Sequence, residues 1–393
     1  MEQFEIRVPD EVLDDLNQRL GRTRLPDLPA TPVGGEWSLG TSRSYLRDLI
    51  AHWRSDFDWR AVESRLNSYP HHRAWVDGVP IHFVHCRGKG PQPIPLILSH
   101  GWPSTFAEML PLVDRLTEPD PRDPGSPTFD LVIPSLPGFA FSSPYTEIGP
   151  RRIHQLWAAL MTELGYERFA AAGSDLGARV TSRLGWHFPE RVIGIHLSSV
   201  DVEWPDPLPD DLSDDERAYV AGVERWEREE GGYAAIQATK PQTLAYGLAD
   251  SPVGLAAWIV EKFRSWSDCA GDISSAFSFD ELLTTITLYW ATNTINSANR
   301  GYFQARHDPD PLRLAPGTRV ETPTGIAMFP GETELQVPRS FAERCYNLVR
   351  WSDMPRGGHF PALEEPDLLA EDIRGFFAAL VERATDDTQP RLS

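Results

Sequence analysis

The feature that most constrains this 393-residue chain is a glycine-flanked aspartate between an apolar strand and a helix. The strand pattern Phe169–Ala172 runs into Gly173-Ser174-Asp175-Leu176-Gly177, and a helical pattern follows. Such a segment predicts a sharp strand-to-helix turn that exposes its central side chain at the end of a parallel sheet. The glycines fit because the turn brings backbone segments too close together for a Cβ atom. Ser174 is one position out of register, and we expect its side chain to point away from the site.

A carboxylate at the centre of this turn restricts the chemistry. A serine that attacked an alkyl carbon would form an ether and inactivate the protein. An aspartate forms an alkyl ester instead, which water can hydrolyse at the aspartate's own carbonyl carbon. Asp175 therefore predicts substrates with an electrophilic sp3 carbon, such as epoxides or alkyl halides. The alternative is a chain that has lost its activity, in which Asp175 is only a turn residue.

The composition is typical of a soluble globular protein. A formal charge of −20 argues against nucleic acid and anionic membranes as partners. The N-terminal residues lack a signal pattern, and no window of the sequence has the length and apolarity of a membrane span. The scattered cysteines Cys86, Cys269 and Cys345 fit buried thiols in a reducing compartment better than a disulfide framework or a zinc site. We therefore predict a cytoplasmic location.

The order of strand and helix patterns divides the chain into four parts. Residues 1–72 are predicted to be a helical extension that covers a larger core. Residues 73–200 and 318–393 alternate strands with helices, which predicts one mostly parallel sheet built in two parts. Residues 201–317 are rich in Trp, Tyr, Asp and Pro, and they are predicted to form a helical cap inserted between those two parts.

Short apolar or alternating segments mark the strands, and the first of them alternates like an edge strand. The predicted strands are Ile81–His85, Pro95–Ser99, Asp130–Pro134, Phe169–Ala172, Val192–Leu197, Gly325–Phe329 and Leu348–Ser352. Capping residues and helical spacing mark the helices. The predicted helices are one capped by Asp10 and ending at Gly21, one from Tyr45 to Trp53, one opened by Asp58, and those at 151–164, 213–229, 279–297 and after Pro366.

Two later segments supply the partners that Asp175 needs. A base must activate water for ester cleavage, and His359 follows the last predicted strand, at the sheet edge where such sites assemble. The base needs a carboxylate to orient it. Glu332 and Glu334 both qualify, because they follow the preceding strand.

Charge that develops on oxygen also needs donors. The backbone N–H groups of Trp102, in His100-Gly101-Trp102-Pro103, and of Leu176 are predicted to form an oxyanion hole. His100 itself is predicted to be structural. Opening an epoxide produces an alkoxide, which a phenol can protonate at little ionisation cost. The predicted cap contains several phenols that could serve as this acid. The residues alone do not distinguish among Tyr219, Tyr233, Tyr246, Tyr289 and Tyr302.

The chain resembles the microsomal-type epoxide hydrolases over nearly its whole length. The resemblance rests on the turn around Asp175, the His-Gly-Trp-Pro segment, and the stretches 232–243, 250–258 and 356–360. It implies an α/β-hydrolase fold with a mostly parallel central sheet, an inserted helical cap and an N-terminal helical extension. It also implies that Tyr233 and Tyr302 are the acids. Phe329-Pro330-Gly331-Glu332 matches the family's Phe-Pro-x-Glu, which favours Glu332 over Glu334.

The resemblance therefore implies an enzyme that converts an epoxide and water to a vicinal diol without a metal or cofactor. We also expect Trp102, Gln237 and Phe360 to line a pocket for a bulky or aromatic epoxide. The family usually has tryptophan where this chain has Leu176, so the pocket wall differs. The membrane anchor of animal members is absent, which suggests a soluble bacterial relative with a detoxifying or biosynthetic role, such as an enediyne antibiotic pathway. A homodimer is favoured on base rates alone.

Two alternatives remain at this stage. A haloalkane or haloacid dehalogenase would share the aspartate, but it often cradles halide with a tryptophan at the position of Leu176. The second alternative is a binding protein that has the fold of a hydrolase but no catalytic activity.

Overall fold

The computed structural model describes residues 1–27, 34–142, 152–200, 202–205, 207–308, 313–332 and 336–386, with side chains described as far as residue 382. The strands of these ranges form a single sheet. They are β1 (Glu2–Gln3), β2 (His71–Val76), β3 (Val79–Cys86), β4 (Ile94–Ser99), β5 (Phe129–Pro134), β6 (Phe169–Gly173), β7 (Val192–Leu197), β8 (Val320–Met328) and β9 (Tyr346–Asp353).

The helices lie on both faces of this sheet and in the segment between β7 and β8. They are α1 (Asp10–Gly21), α2 (Arg43–Ser55), α3 (Trp59–Leu66), α4 (Leu112–Thr117), α5 (Ile153–Glu163), α6 (Leu176–His187), α7 (Asp214–Glu229), α8 (Gly232–Thr239), α9 (Pro241–Asp250), α10 (Pro252–Trp266), α11 (Phe279–Thr292), α12 (Ile295–His307), α13 (Arg339–Cys345), α14 (Pro361–Glu364) and α15 (Pro366–Asp386). Short 3-10 helices occupy Phe106–Met109 and Ile273–Ser275.

The sheet has the strand order β1-β2-β3-β5-β4-β6-β7-β8-β9. The pairs from β5 through β9 are parallel, and the pairs on the β1 side are antiparallel. Apolar clusters bury both faces. The carboxyl ends of the parallel strands therefore meet at one edge, where α/β sheets place their ligands. The α/β-hydrolase fold predicted from the sequence is confirmed.

The first strands differ from the sequence prediction. β3 is not an edge strand, because β2 lies on one side of it and β5 on the other. β2 begins at His71, so it spans the predicted boundary between residues 72 and 73. Asp77 and Gly78 join β2 to β3 with positive φ angles of 48° and 81°. An Asp-Gly pair is a strong hairpin signal, and it could have located β2 from the sequence.

The N-terminal helices also differ in detail. Asp10 does not cap α1, because Pro9 occupies the N-cap position without a side-chain hydrogen bond and Asp10 is the first helical residue. The Asp10 carboxylate instead pairs with Arg60 of α3. Asp58 does cap α3, by accepting a hydrogen bond from Ala61 N–H. The predicted helix at 279–297 is two helices, since Asn293 adopts a left-handed conformation that ends α11.

Helices α1 and α2 both pack on α10, and α2 also packs on α11. Arg19 of α1 pairs with Asp250 at 2.7 Å, and Thr41, just before α2, donates to the carbonyl of Ala257 at 2.6 Å. Leu49 and Trp53 of α2 are buried, and each such side chain contributes about 2 kcal/mol. The N-terminal segment therefore fixes the position of α10.

Across the described ranges, no single helix has the length and apolarity needed to cross a membrane. The pair α9 and α10, bent by 116°, meets that test by length and composition only.

Candidate active site

The turn between β6 and α6 places Asp175 at the carboxyl edge of the sheet. Asp175 has φ 51° and ψ −124°, a backbone conformation that is rare outside glycine. A Cβ atom on Gly177 would lie 2.0 Å from the carbonyl oxygen of Ser99, so α6 can pack this closely on β4 only with glycine there. The sequence predicted this turn, and the structure contains it.

The Asp175 carboxylate is held from two directions. Oδ1 accepts a hydrogen bond of 2.8 Å from Trp102 N–H. Oδ2 lies 3.6 Å from His359 Nε2, and this nitrogen has no hydrogen-bond partner within the described ranges. Burial raises the pKa of Asp175, but the charges of His359 and Arg179 and the Trp102 N–H outweigh it, and the net pKa is lowered. Asp175 is therefore an anion in the resting site.

His359 is oriented by Glu332. Its Nδ1 forms a hydrogen bond with Oε1 of Glu332. Ser199 Oγ donates a second hydrogen bond of 3.0 Å to Glu332 Oε1. The backbone N–H of His359 donates to the carbonyl of Trp266 at 2.8 Å. Burial lowers the pKa of His359, but Glu332 and Asp175 raise it more, to a net value well above the ordinary one. Glu334 lies outside the described residues.

The two predicted backbone donors lie at the carboxyl edge of the sheet, Trp102 after β4 and Leu176 after β6. Trp102 N–H contacts the carboxylate directly. Leu176 is the first residue of α6, where an N–H group has no intrahelical partner. His100 donates from Nδ1 to the Gly101 carbonyl at 3.0 Å and accepts from Leu136 N–H at Nε2 at 3.1 Å. Burial lowers its pKa to about 4, which fits the predicted structural role.

Among the five candidate phenols, Tyr233 of α8 and Tyr302 of α12 lie together. Tyr233 stacks on Trp102 with ring centroids 5.1 Å apart, and Tyr302 meets the same indole edge-on at 5.9 Å. Tyr233 hydrogen-bonds the Tyr302 hydroxyl. Burial, Tyr233 and Asp175 raise the pKa of Tyr302 well above its ordinary value, so this phenol keeps its proton.

The other three phenols have different surroundings. Tyr289 is buried and donates to the carbonyl of Ser104 at 3.0 Å. Tyr219 packs against Trp204 and Phe341, and Tyr246 is 72% exposed.

The three residues predicted to line a pocket lie in different surroundings. Trp102 is buried in contact with both tyrosines, and its Nε1 donates to Asn299 at 3.2 Å. Gln237, one turn after Tyr233, is buried and accepts from Trp258 Nε1 at 3.2 Å. Its Nε2 is without a partner among the described residues. Phe360 stacks on Phe263 at 4.1 Å, within the apolar core.

Sequence reasoning missed several residues of this site. Trp266 of α10 contacts the rings of His359 at 4.9 Å and Tyr233 at 5.2 Å. Asn299 and Ser199 hold Trp102 and Glu332 respectively. Asn299 is close to Tyr302 in sequence and could have been suspected. Trp266 and Ser199 carry no local signal, because only the packing of the cap and the end of β7 bring them here.

Within the described residues, no group of three or more His, Cys, Asp or Glu side chains could hold a metal ion.

Known proteins resemble the chain over nearly its full length. The family model described as "Epoxide hydrolase N terminus" matches residues 1–109, and the model described as "Alpha/beta hydrolase family" matches residues 96–372. A putative epoxide hydrolase of Stigmatella aurantiaca is 40% identical, with 96% of this chain and 84% of that protein covered. Epoxide hydrolase 1 of Oryctolagus cuniculus is 34% identical, with 97% and 89% covered.

Solved structures of epoxide hydrolases also resemble this chain over nearly its full length. The epoxide hydrolase of Aspergillus niger superposes with a TM-score of 0.82 at 30% identity, covering 96% of both chains. The juvenile hormone epoxide hydrolase of Bombyx mori gives a TM-score of 0.82 at 28% identity, covering 97% of this chain and 94% of that one. The family models, the sequence relatives and the fold point to one group of enzymes, and this chain belongs to the epoxide hydrolase family of the α/β-hydrolase fold.

Proposed function

We propose that this epoxide hydrolase forms a covalent ester between Asp175 and one carbon of the epoxide. A carboxylate oxygen attacks that carbon, its C–O bond breaks, and the electron pair stays on the epoxide oxygen. Tyr233 and Tyr302 donate hydrogen bonds to this oxygen, and one phenol supplies the proton that makes it a hydroxyl. The transfer is favourable because an alkoxide is a stronger base than a phenolate.

In the second step, water cleaves the ester. His359 Nε2 takes a proton from water, and the hydroxide attacks the Asp175 carbonyl carbon. The N–H groups of Trp102 and Leu176 stabilise the tetrahedral oxyanion. The imidazolium then protonates the departing diol oxygen, which leaves Asp175 as the carboxylic acid. The proton of that acid restores the phenol that was consumed in the first step, and the Asp175 carboxylate is regenerated with one oxygen atom from water.

The electrostatics of the site support this order of events. In the resting site Glu332 and the Asp175 anion both raise the pKa of His359. Ester formation removes that charge, so the pKa of His359 falls and the imidazole becomes an available base. Each step therefore prepares the group that the next one needs.

The main observation in support of this proposal is the pair of contacts that the Asp175 carboxylate makes. One oxygen lies 2.8 Å from Trp102 N–H, and the other lies 3.6 Å from a histidine held by Glu332. The test is one turnover with excess enzyme in heavy-oxygen water. We expect the label in the Asp175 carboxylate and not in the first diol. Label in the first diol would mean direct attack of water on the epoxide.

A His359→Gln variant gives the matching result on the intermediate. It retains the nucleophile but lacks the base, so mass spectrometry should find the substrate mass on the peptide that contains Asp175. Asp175→Asn is the control, and it should carry no adduct.

We propose an aromatic or otherwise bulky epoxide as substrate, because Trp102, Tyr233 and Trp266 form an aromatic wall beside the nucleophile. A higher kcat/KM for styrene oxide than for short aliphatic epoxides would support this; the reverse order would reject it.

The biosynthetic or detoxifying role, the cytoplasmic location and the homodimer stay predictions. Genomic neighbours and the molar mass in solution would test the first and the last.

A further inference from the structure

Glu108 is a buried acid that the proposed steps do not use. It lies on the 3-10 turn Phe106–Met109 and is 3% exposed. Its Oε2 contacts Ser104 Oγ, while Oε1 has no hydrogen-bond partner in the described part of the chain. A buried carboxylate anion with a single hydrogen bond costs several kcal/mol, whereas the neutral acid leaves only a weaker acceptor unsatisfied. The surroundings of Glu108 therefore favour its protonated form.

Ser104 lies between Glu108 and the Gly101 carbonyl. Its Oγ contacts Glu108 and is also 3.1 Å from the carbonyl oxygen of Gly101. A serine hydroxyl has only one proton to donate. Ionised Glu108 can only accept, so it takes that proton. Protonated Glu108 donates to Ser104 Oγ, which leaves the serine proton free for the Gly101 carbonyl.

The Gly101 carbonyl and the Trp102 N–H belong to the same peptide unit. That N–H is the group that contacts Asp175 at 2.8 Å. A hydrogen bond accepted by the carbonyl polarises the peptide and strengthens its N–H as a donor. His100 supplies one such bond permanently, because Leu136 N–H fixes its tautomer. Ser104 supplies a second bond, and only while Glu108 is protonated.

We propose that Glu108 is a positioning residue: as a neutral acid it directs the Ser104 hydroxyl to the Gly101 carbonyl and so strengthens the Trp102 oxyanion donor. When Glu108 ionises, the second bond to the Gly101 carbonyl is lost and ester hydrolysis slows. This inference rests on the proposed ester mechanism, because it concerns the step that consumes the ester.

The neighbouring charges place this change near neutral pH. Burial, Asp175 and Glu364 raise the pKa of Glu108, the Ser104 hydrogen bond and His359 lower it, and the net value in the resting site is about 7. The titratable groups that face Glu108 are Asp175, His359, Glu364 and Tyr289. The two ionisations act in opposite directions on ester hydrolysis: loss of the His359 proton accelerates it, and ionisation of Glu108 slows it.

The test measures the decay rate of the ester after one turnover, as a function of pH. In the wild type we expect this rate to fall about threefold to tenfold on the alkaline side, the value of one hydrogen bond. Glu108→Gln donates an amide N–H to Ser104 at every pH, so its alkaline decrease should vanish. An unchanged decrease in Glu108→Gln would overturn the proposal.

Two further variants separate the relay from simpler causes. Ser104→Ala should be slow at all pH values and show no alkaline decrease. A decrease that persists in it would mean that the Glu108 charge acts through space, which would overturn the relay. Glu364→Gln is the control for a neighbouring half-buried acid and should keep the decrease. Loss of the decrease in Glu364→Gln would assign the titration to Glu364 instead.

A spectroscopic measurement keeps the proposal testable without turnover. The infrared difference spectrum of wild type minus Glu108→Gln, at slightly acidic pH, should contain the carbonyl stretch of a protonated carboxylic acid. No such band would overturn the proposal. Failure to form any ester would contradict the proposed function instead, while the infrared result would still judge Glu108.

Discussion

The sharpest prediction concerns Gly101, which lies against the nucleophile. A Cβ atom on Gly101 would lie 2.3 Å from Asp175 Oδ1 and 2.4 Å from its Cβ. An ordinary contact begins at 3.4 Å, so Gly101→Ala must move Asp175 or the Gly101–Trp102 backbone by about 1 Å. Either movement breaks the hydrogen bond from Trp102 N–H to the carboxylate.

The magnitude follows from that displacement. A misplacement of about 1 Å at a reacting group costs roughly 100-fold in rate, or about 2.7 kcal/mol of transition-state stabilisation. Overpacking should lower the free energy of unfolding by about 1 to 3 kcal/mol, which leaves the protein folded at room temperature. We therefore expect a folded protein with severely slowed ester formation.

The assay is single-turnover alkylation followed by mass spectrometry, with a thermal melt to confirm folding. Gly247→Ala is the matched control, because Gly247 lies in α9, is exposed, and has nothing within 4 Å of its added Cβ. That variant should react at the wild-type rate. If Gly101→Ala alkylated within threefold of wild type, the argument that Asp175 needs this close approach would be wrong.

Three further predictions follow from the contacts described. Asp175→Asn removes the anion that raises the pKa of His359, so NMR titration of His359 should give a lower pKa than in the wild type; an equal or higher value would contradict the charge coupling. Tyr302→Phe and Tyr233→Phe should each slow alkylation by roughly 10- to 100-fold and leave ester decay nearly unchanged, and a normal burst rate in both would remove them from the mechanism. Asp372→Asn should lower the free energy of unfolding by about 3 kcal/mol in denaturant titrations, because it leaves His196 and Arg350 without their shared buried partner. Burial raises the pKa of Asp372, but His196, Arg350 and Ser352 lower it more. The wild type should therefore lose this stabilisation only as pH falls through the lowered pKa of Asp372. The free energy of unfolding of Asp372→Asn should lack this decrease in acid.

Local patterns predicted most of the parallel sheet. β4, β5, β6 and β7 lie within a residue of their predicted bounds, since short apolar runs between turn residues have few other solutions. The prediction missed β2 altogether, and it placed β3 at the edge of the sheet instead of the interior. Polar residues hide the alternation of β2, and the edge or interior position of β3 depends on whether a neighbour pairs with it. Asp10 was misplaced by one residue because Pro9 supplies the extended backbone of the N-cap position.

The local sequence specifies the turn, the identity of its central residue, and the order of aspartate, glutamate and histidine along the chain. These depend on local backbone geometry and on residue chemistry, which a short segment contains in full. The packed fold alone brings Tyr233 and Tyr302 to Trp102, Ser199 to Glu332 and Trp266 to His359, and it buries Glu108 beside the oxyanion donor. Most of these contacts join segments that are distant in the chain, such as Ser199 and Glu332, which are 133 residues apart. Their mutual approach is set by the whole core and not by any local pattern.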